Sequence, residues 1–332
     1  MRTLRPAVRL NIMRSLIGVV ALGGLLAACG ASEGSLGGSG QSPDPDAIRV
    51  VATTTVFADM VRQVGGARTA VSSLVPPGGE VHTFDPTPSD IARVADADLV
   101  FMNGLGLDEW LGALADDSGS TATIVELAED LDGVEYLAGE AHEDDEHEGE
   151  EDEDEHADEG INPHLWLNVG YGIKYVERIG EALAAADPDH AADYEAGTAD
   201  YVARLTELDD SVRGTLAALP PEDRRIVSFH EAFPYFAAAY GLEIVGTVVD
   251  IPGQDPSAGE IAQLVDSIRA SGARALFSEA QFNPQLAETV AQEAGITVES
   301  DLYNDSLGDP PVDTYEGLIR WDVEKVVAAL TR

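Results

Sequence analysis

From residue 48 to the end of the chain, short apolar, β-branched runs alternate with segments of helical spacing, and this alternation narrows the possible folds more than any other feature. Residues 48–54, 70–75, 99–103 and 123–127 read as strands, and 56–64, 88–95 and 107–115 read as the helices between them. Pro88 and Ser89 open the second of these helices, with Ser89 as its expected N-cap. After Pro220-Pro221 the pattern resumes, with strands at 225–229, 243–249, 275–279 and 297–300 and helices at 232–240, 257–271, 284–294 and 314–330. Ser257 and Glu260 form a capping-box pattern at the head of one of them. Strands that alternate with helices pair in parallel, because a parallel partner is reached through a crossover. The expected fold class is therefore α/β: two lobes, each a mainly parallel sheet flanked by helices.

The alternation breaks once. From residue 190 to 219 no proline occurs, and Tyr194, Tyr201, Leu205, Leu208, Val212, Leu216 and Leu219 recur at helical spacing against a charged opposite face. Thirty residues at about 1.5 Å each give roughly 45 Å, long enough to join two lobes, although Gly197 and Gly214 would weaken such a helix. The expected boundaries are an N-terminal lobe over 47–187, a linker helix over 188–219 and a C-terminal lobe over 220–332.

The first 29 residues stand apart. Arg2, Arg5, Arg9 and Arg14 form a basic leader, followed by an apolar run too short to span a bilayer stably, the pattern of a secretory signal. It ends in Leu26-Ala27-Ala28-Cys29, which resembles a bacterial lipobox. Lipidated Cys29 would anchor the mature chain to the outer face of the cytoplasmic membrane, leaving no thiol for a disulfide, a nucleophile or a thiolate zinc site, since Cys29 is the sole cysteine. Residues 30–46, rich in Gly, Ser, Pro and Asp, read as a flexible tether.

Residues 139–160 form an acidic loop with 14 Asp or Glu between Glu140 and Glu159, carrying His142, His147 and His156. Beyond that loop and the leader, 47 acids still face 15 bases, which disfavours nucleic acid and anionic lipid as partners and suits cations. The loop has nothing aromatic or branched to bury, so weak, multi-site attraction of cations is the most it is expected to provide. Directly behind it comes the apolar segment Asn162-Pro163-His164-Leu165-Trp166-Leu167-Asn168.

Of the seven histidines, three lie in the acidic loop and His190 sits at the polar start of the long helix. His82 falls in a loop after a strand, His164 in the apolar segment, and His230 directly after the strand ending at Phe229. Ligands of open α/β sheets collect beyond the carboxyl ends of strands, so His82 and His230 stand where a site belongs. Each alone could equally be a turn or cap residue; three in aromatic, Pro-bounded settings point to a metal, imidazole nitrogen being a ligand for divalent cations.

These residues carry a resemblance. His82 with Thr83-Phe84-Asp85-Pro86-Thr87-Pro88-Ser89-Asp90, the segment 162–168, the segment 228–242, the segment 277–284 and Leu302-Tyr303-Asn304-Asp305-Ser306-Leu307 resemble, in order and spacing, the zinc- and manganese-type solute-binding lipoproteins of ABC transporters (cluster A-I receptors). The resemblance implies two α/β lobes joined by a long rigid helix with one metal ion in the cleft. It implies His82 and His164 from the first lobe and His230 and Asp305 from the second as ligands, with Glu80 a rival fourth ligand. Glu279 is expected to support the site rather than to ligate, as carboxylates commonly do for ligand histidines. Where manganese-type members tend to have glutamate, this chain has His230, and a nitrogen-rich set suits Zn²⁺ better than Mn²⁺. The implied function is that of a monomeric extracytoplasmic Zn²⁺ receptor that delivers the ion to an ABC permease with a separate ATPase subunit. A Mn²⁺ receptor and a surface zinc buffer or adhesin-type lipoprotein are the alternatives. No hydrolase, phosphate-loop or nucleophile motif is present, so no enzymatic activity is expected.

Overall fold

The computed structural model describes residues 44–139, 160–249, 252–253 and 256–332. The first sheet holds β1 (Ile48–Ala52), β2 (Thr69–Ser73), β3 (Leu99–Met102) and β4 (Thr123–Glu126), all parallel, in the order β2-β1-β3-β4. Helices α1 (Thr55–Gly65), α2 (Pro88–Ala95) and α3 (Trp110–Ser118) make the crossovers. All four residues of β3 are buried, as a strand covered on both faces requires.

Two further helices follow, α4 (Val169–Ala186) and α5 (Ala191–Ala217). The second sheet then repeats the first. Its strands β5 (Arg225–Ser228), β6 (Glu243–Thr247), β7 (Ala275–Glu279) and β8 (Thr297–Leu302) are parallel in the order β6-β5-β7-β8. They are linked by α6 (Pro234–Tyr240), α7 (Ala258–Ser271) and α8 (Gln285–Ala294), and α9 (Tyr315–Leu330) closes the chain. In each sheet the chain runs to one side of its first strand and then crosses to the other. This opens a crevice at the carboxyl ends of β1 and β3, and of β5 and β7.

The two sheets belong to one compact unit, Gln41–Arg332. Its spine is α5, whose 27 residues span about 40 Å. Tyr194, Tyr201, Leu205, Leu208, Val212 and Leu216 form its buried stripe, the one its spacing predicts. It packs on α1 and α4 of the first lobe and on α6 and α9 of the second, and one apolar core runs from Phe57 and Met60 through Trp166 to Phe236 and Leu318.

The structure departs from the sequence expectation locally. Helix α4 has no counterpart in the alternation; it opens Val169-Gly170-Tyr171-Gly172, weak helix formers, yet buries Tyr175, Val176, Ile179 and Leu183 at helical spacing. The cap of α2 is Thr87 rather than Ser89: Pro88 is the first helical residue, and the Thr87 N–H donates to the Asp90 carboxylate at 2.7 Å. The Ser257–Glu260 box forms as expected, with Glu260 N–H donating to Ser257 Oγ at 3.3 Å and Ser257 N–H to Glu260 Oε2 at 2.6 Å.

The two glycines of α5 separate sharply. A Cβ at Gly197 would lie 2.1 Å from the Val64 carbonyl oxygen, whereas one at Gly214 meets nothing within 4 Å. Glycine is thus required at 197, where α5 and α1 approach backbone to backbone, and only weakens the helix at 214. Gly197→Ala is expected to lower stability by about 1–3 kcal/mol through overpacking, and Gly214→Ala to raise it by up to about 1 kcal/mol. Urea denaturation of the two variants, read as ΔΔG of opposite sign, checks this.

Candidate metal centre

The carboxyl ends of the strands bring His82, His164, His230 and Asp305 together, with one ligand-type atom from each lying within 4.8 Å of the others. His82 comes from the loop between β2 and α2, and His164 stands just ahead of a single 3₁₀ turn, Leu165–Leu167. His230 follows β5 and Asp305 follows β8. His230 Nε2 and His164 Nε2 are 3.4 Å apart, His164 Nε2 and Asp305 Oδ1 3.5 Å, and His82 Nε2 and Asp305 Oδ2 3.9 Å. Tetrahedral ligands at about 2.0–2.1 Å from an ion stand about 3.3 Å from one another, so these spacings leave room for one small divalent cation.

Three of the four are out of water: His164 is 2% exposed, His230 1% and Asp305 0%. His82, whose side chain is 12% exposed, faces the outside. Two of the rings are aimed from behind. The Asn162 side chain donates its amide to the Glu231 carbonyl at 2.6 Å, which leaves Oδ1 to accept from His164 N–H at 3.0 Å and from His164 Nδ1 at 3.2 Å. His164 therefore carries its proton on Nδ1 and points the Nε2 lone pair inward. His230 Nδ1 lies 2.8 Å from Glu279 Oε1, which turns its Nε2 inward as well. Beneath Asp305, Gln281 Nε2 donates to Asn304 Oδ1 at 2.8 Å and approaches Asp305 Oδ2 at 3.5 Å. Asp305 Oδ1 has no hydrogen-bond partner.

The electrostatics follow from this crowding. Burial would depress His230, but the Glu279, Asp305 and Glu80 carboxylates outweigh it and push the imidazolium up to about 9. Burial, with the charges of His230 and His82, drives His164 well below the usual histidine range, so its ring is neutral. Burial and the Glu80 charge hold Asp305 well above the usual carboxylate range. The metal-free site is short of positive charge, and a divalent cation would supply it.

The structure gathers His82, His164, His230 and Asp305, and among the described residues the other sequence candidates stand outside that set. Glu80 is not in the converging set; its Oε1 accepts the His82 N–H at 2.8 Å, its Oε2 is buried without a hydrogen-bond partner, and burial raises its pKa. Glu279 stands behind His230, its Oε1 2.8 Å from His230 Nδ1. His190 lies apart, its Nδ1 2.8 Å from Asp187 Oδ2 at the turn into α5. His142, His147, His156 and Cys29 lie outside the described residues. Sequence reasoning missed Asn162, Gln281 and Asn304 as supports; each sits within four residues of a residue already singled out, which was the available signal.

A two-lobed parallel α/β fold on a helical spine, with a nitrogen-rich donor set between the strand ends, defines the class: a metal-binding receptor of an ABC transporter, not an enzyme. The family model described as "Zinc-uptake complex component A periplasmic" matches residues 50–329, and the chain belongs to that family. Among curated relatives, "Manganese-binding lipoprotein MntA" of Halalkalibacterium halodurans is 31% identical over 316 residues, covering 95% of this chain and 96% of the relative. "Iron ABC transporter substrate-binding lipoprotein MtsA" of Streptococcus pyogenes is 28% identical, covering 93% and 95%. The solved periplasmic zinc binding protein TroA of Treponema pallidum superposes with a TM-score of 0.74 at 25% identity, over 86% of this chain and 100% of that one.

Glu279→Gln keeps the shape behind His230 and removes its charge. Metal affinity is expected to fall about 10–100-fold with the circular dichroism unchanged, the usual consequence of losing the carboxylate behind a ligand histidine. Titration against a chromophoric chelator measures it, and an unaltered affinity would take Glu279 out of the site.

Proposed function

We propose that this chain captures Zn²⁺ outside the cytoplasmic membrane and hands it to an ABC permease whose ATPase is a separate subunit. One observation carries the reading: three imidazoles and one carboxylate converge within 4.8 Å. Three neutral nitrogens and one oxygen match the tetrahedral preference of Zn²⁺, whereas Mn²⁺ favours more oxygen donors. His82, His164, His230 and Asp305 are the proposed ligands, with Glu279 and Asn162 aiming two of the rings. Binding would begin at the outward-facing His82 and end with the ion enclosed by all four. In the proposed layout, residues 1–29 are the export signal, Cys29 carries the lipid anchor, residues 30–46 are the tether, and the body is a monomer. Among the described residues no helix is long and apolar enough to cross a membrane, which is compatible with a tethered body.

A Mn²⁺ receptor is the second reading, and the name of the relative from Halalkalibacterium halodurans favours it. Metal content separates the readings. Purified protein loaded from an equimolar mixture of Zn²⁺ and Mn²⁺ is expected to hold one equivalent of Zn²⁺, and His230→Ala is expected to lose it; one equivalent of Mn²⁺ would reverse the assignment. Deleting residues 140–159 is expected to leave that equivalent in place, whereas a zinc buffer would lose most of its binding.

The pH dependence follows from the charge on His230. A ligand imidazole must be neutral, and this one holds its proton up to about 9 in the metal-free protein. The ion therefore displaces a proton at neutral pH, and affinity is expected to rise with pH until about 9, by up to about tenfold per unit per displaced proton. Calorimetry in buffers of different ionisation heat should find at least one proton released per ion at pH 7, from His230, with the raised Asp305 carboxyl group as a second source. No proton release, with an affinity flat from pH 6 to 9, would contradict the assignment of His230.

A further inference from the structure

Although β8 and α9 belong to the second lobe, the stretch between them is fastened to the first. The Asn304 carbonyl accepts from Trp166 Nε1 at 3.0 Å. Leu307 is held at both polar groups: its N–H donates to Thr55 Oγ1 at 2.7 Å, and its carbonyl accepts from Gly78 N–H at 3.0 Å. At the head of α9, the Tyr315 N–H donates to Asp59 Oδ2 at 2.9 Å, and its hydroxyl donates to the Trp166 carbonyl. Thr55 and Asp59 both lie on α1, 7% and 4% exposed, so these bonds are made out of water, where a lost partner is costly to replace. Asp305 sits between the first two attachments. His230 is braced differently: its Nδ1 faces Glu279 of β7 in its own lobe, and the carbonyl of the neighbouring Glu231 accepts from the Asn162 side chain of the first lobe at 2.6 Å, a bond that does not involve α1.

From this arrangement we infer that Thr55 and Asp59 are positioning residues for the ligand Asp305. They hold the 304–315 segment on α1, so that Asp305 is presented together with His82 and His164 as one prearranged set. The inference rests on the metal-site reading above and adds to it which residues set the fourth ligand. Thr55 has no atom in the coordinating set, and acts through the Leu307 backbone two residues beyond Asp305.

Thr55→Val keeps the side-chain shape and removes the acceptor; Thr55→Ser restores it. Tyr240→Phe is the control. Its hydroxyl accepts from Val169 N–H at 3.1 Å and donates to Asp209 at 2.8 Å, a buried tie between lobes that does not reach the 304–315 segment. Zinc release into excess chelator and the visible spectrum of the Co²⁺-loaded protein are the readouts. Thr55→Val is expected to release zinc at least about tenfold faster and to alter the Co²⁺ spectrum, Thr55→Ser to restore both, and Tyr240→Phe to lower the melting temperature while moving neither. Wild-type release and spectrum in Thr55→Val, or equal acceleration in Tyr240→Phe, would overturn the inference. Should Thr55→Val fail to fold, amide exchange in the wild-type protein decides. The Leu307 and Tyr315 amides are expected to be as protected as those of α1 without metal as with it, and rapid exchange in the metal-free protein would overturn the inference. Asp305→Ala separates the two levels. If it leaves zinc binding intact, the site reading fails and takes this inference with it; if it abolishes binding while Thr55→Val changes nothing, the positioning role alone is lost.

Discussion

Two buried imidazoles and a buried carboxylate that face one another, with a third imidazole at the rim, repel or go unsatisfied unless something holds them, and the rest of the molecule is arranged around that difficulty. Desolvation and like charge act together here. Asp305 is raised by its own burial and by the Glu80 and Glu279 carboxylates, while His164 is lowered by burial beside two other histidines. A group in such a place does not keep its position by its own interactions. It is kept there by a framework whose stability comes from elsewhere, and an arriving cation relieves the strain of the charge distribution.

That framework is apolar and largely continuous. The α5 stripe and the core it shares with α1, α4, α6 and α9 fix both sheets against one spine, so the crevices at the two sets of strand ends are opposed. Polar side chains then work at short range within the rigid frame. Asn162 joins the two lobes while aiming His164, and Glu279 at the end of β7 aims His230. The buried hydrogen bonds from α1 to Leu307 and Tyr315 bring a segment of the second lobe under the control of the first. Each polar tie satisfies a buried group and a geometric demand at once, which is why so few residues suffice.

Much of this was legible in the sequence. The strand and helix alternation gave two parallel α/β units because periodicity is a local property of the chain. The stripe on α5 was readable from spacing alone, and the three histidines stood out because they follow strands or interrupt apolar runs. Other features were not readable. Helix α4 begins with two glycines in four residues, a local signal that its packing on α5 overrides. Asp305 could be singled out only through family resemblance, since one aspartate among 61 acids has no local mark.

What the sequence by itself determined, then, is the class of fold, the spine, and the residues with the chemistry to hold a cation. Which of them converge was decided by tertiary structure. His82 and Asp305 are more than 200 positions apart, and no periodicity reports a distance between chain segments that meet only when two sheets pack on one helix. The same holds for the unequal roles of Gly197 and Gly214 and for the tie between Thr55 and Leu307. Contacts of that range depend on how elements are placed, and placement is settled by the burial of the whole core rather than by any segment within it.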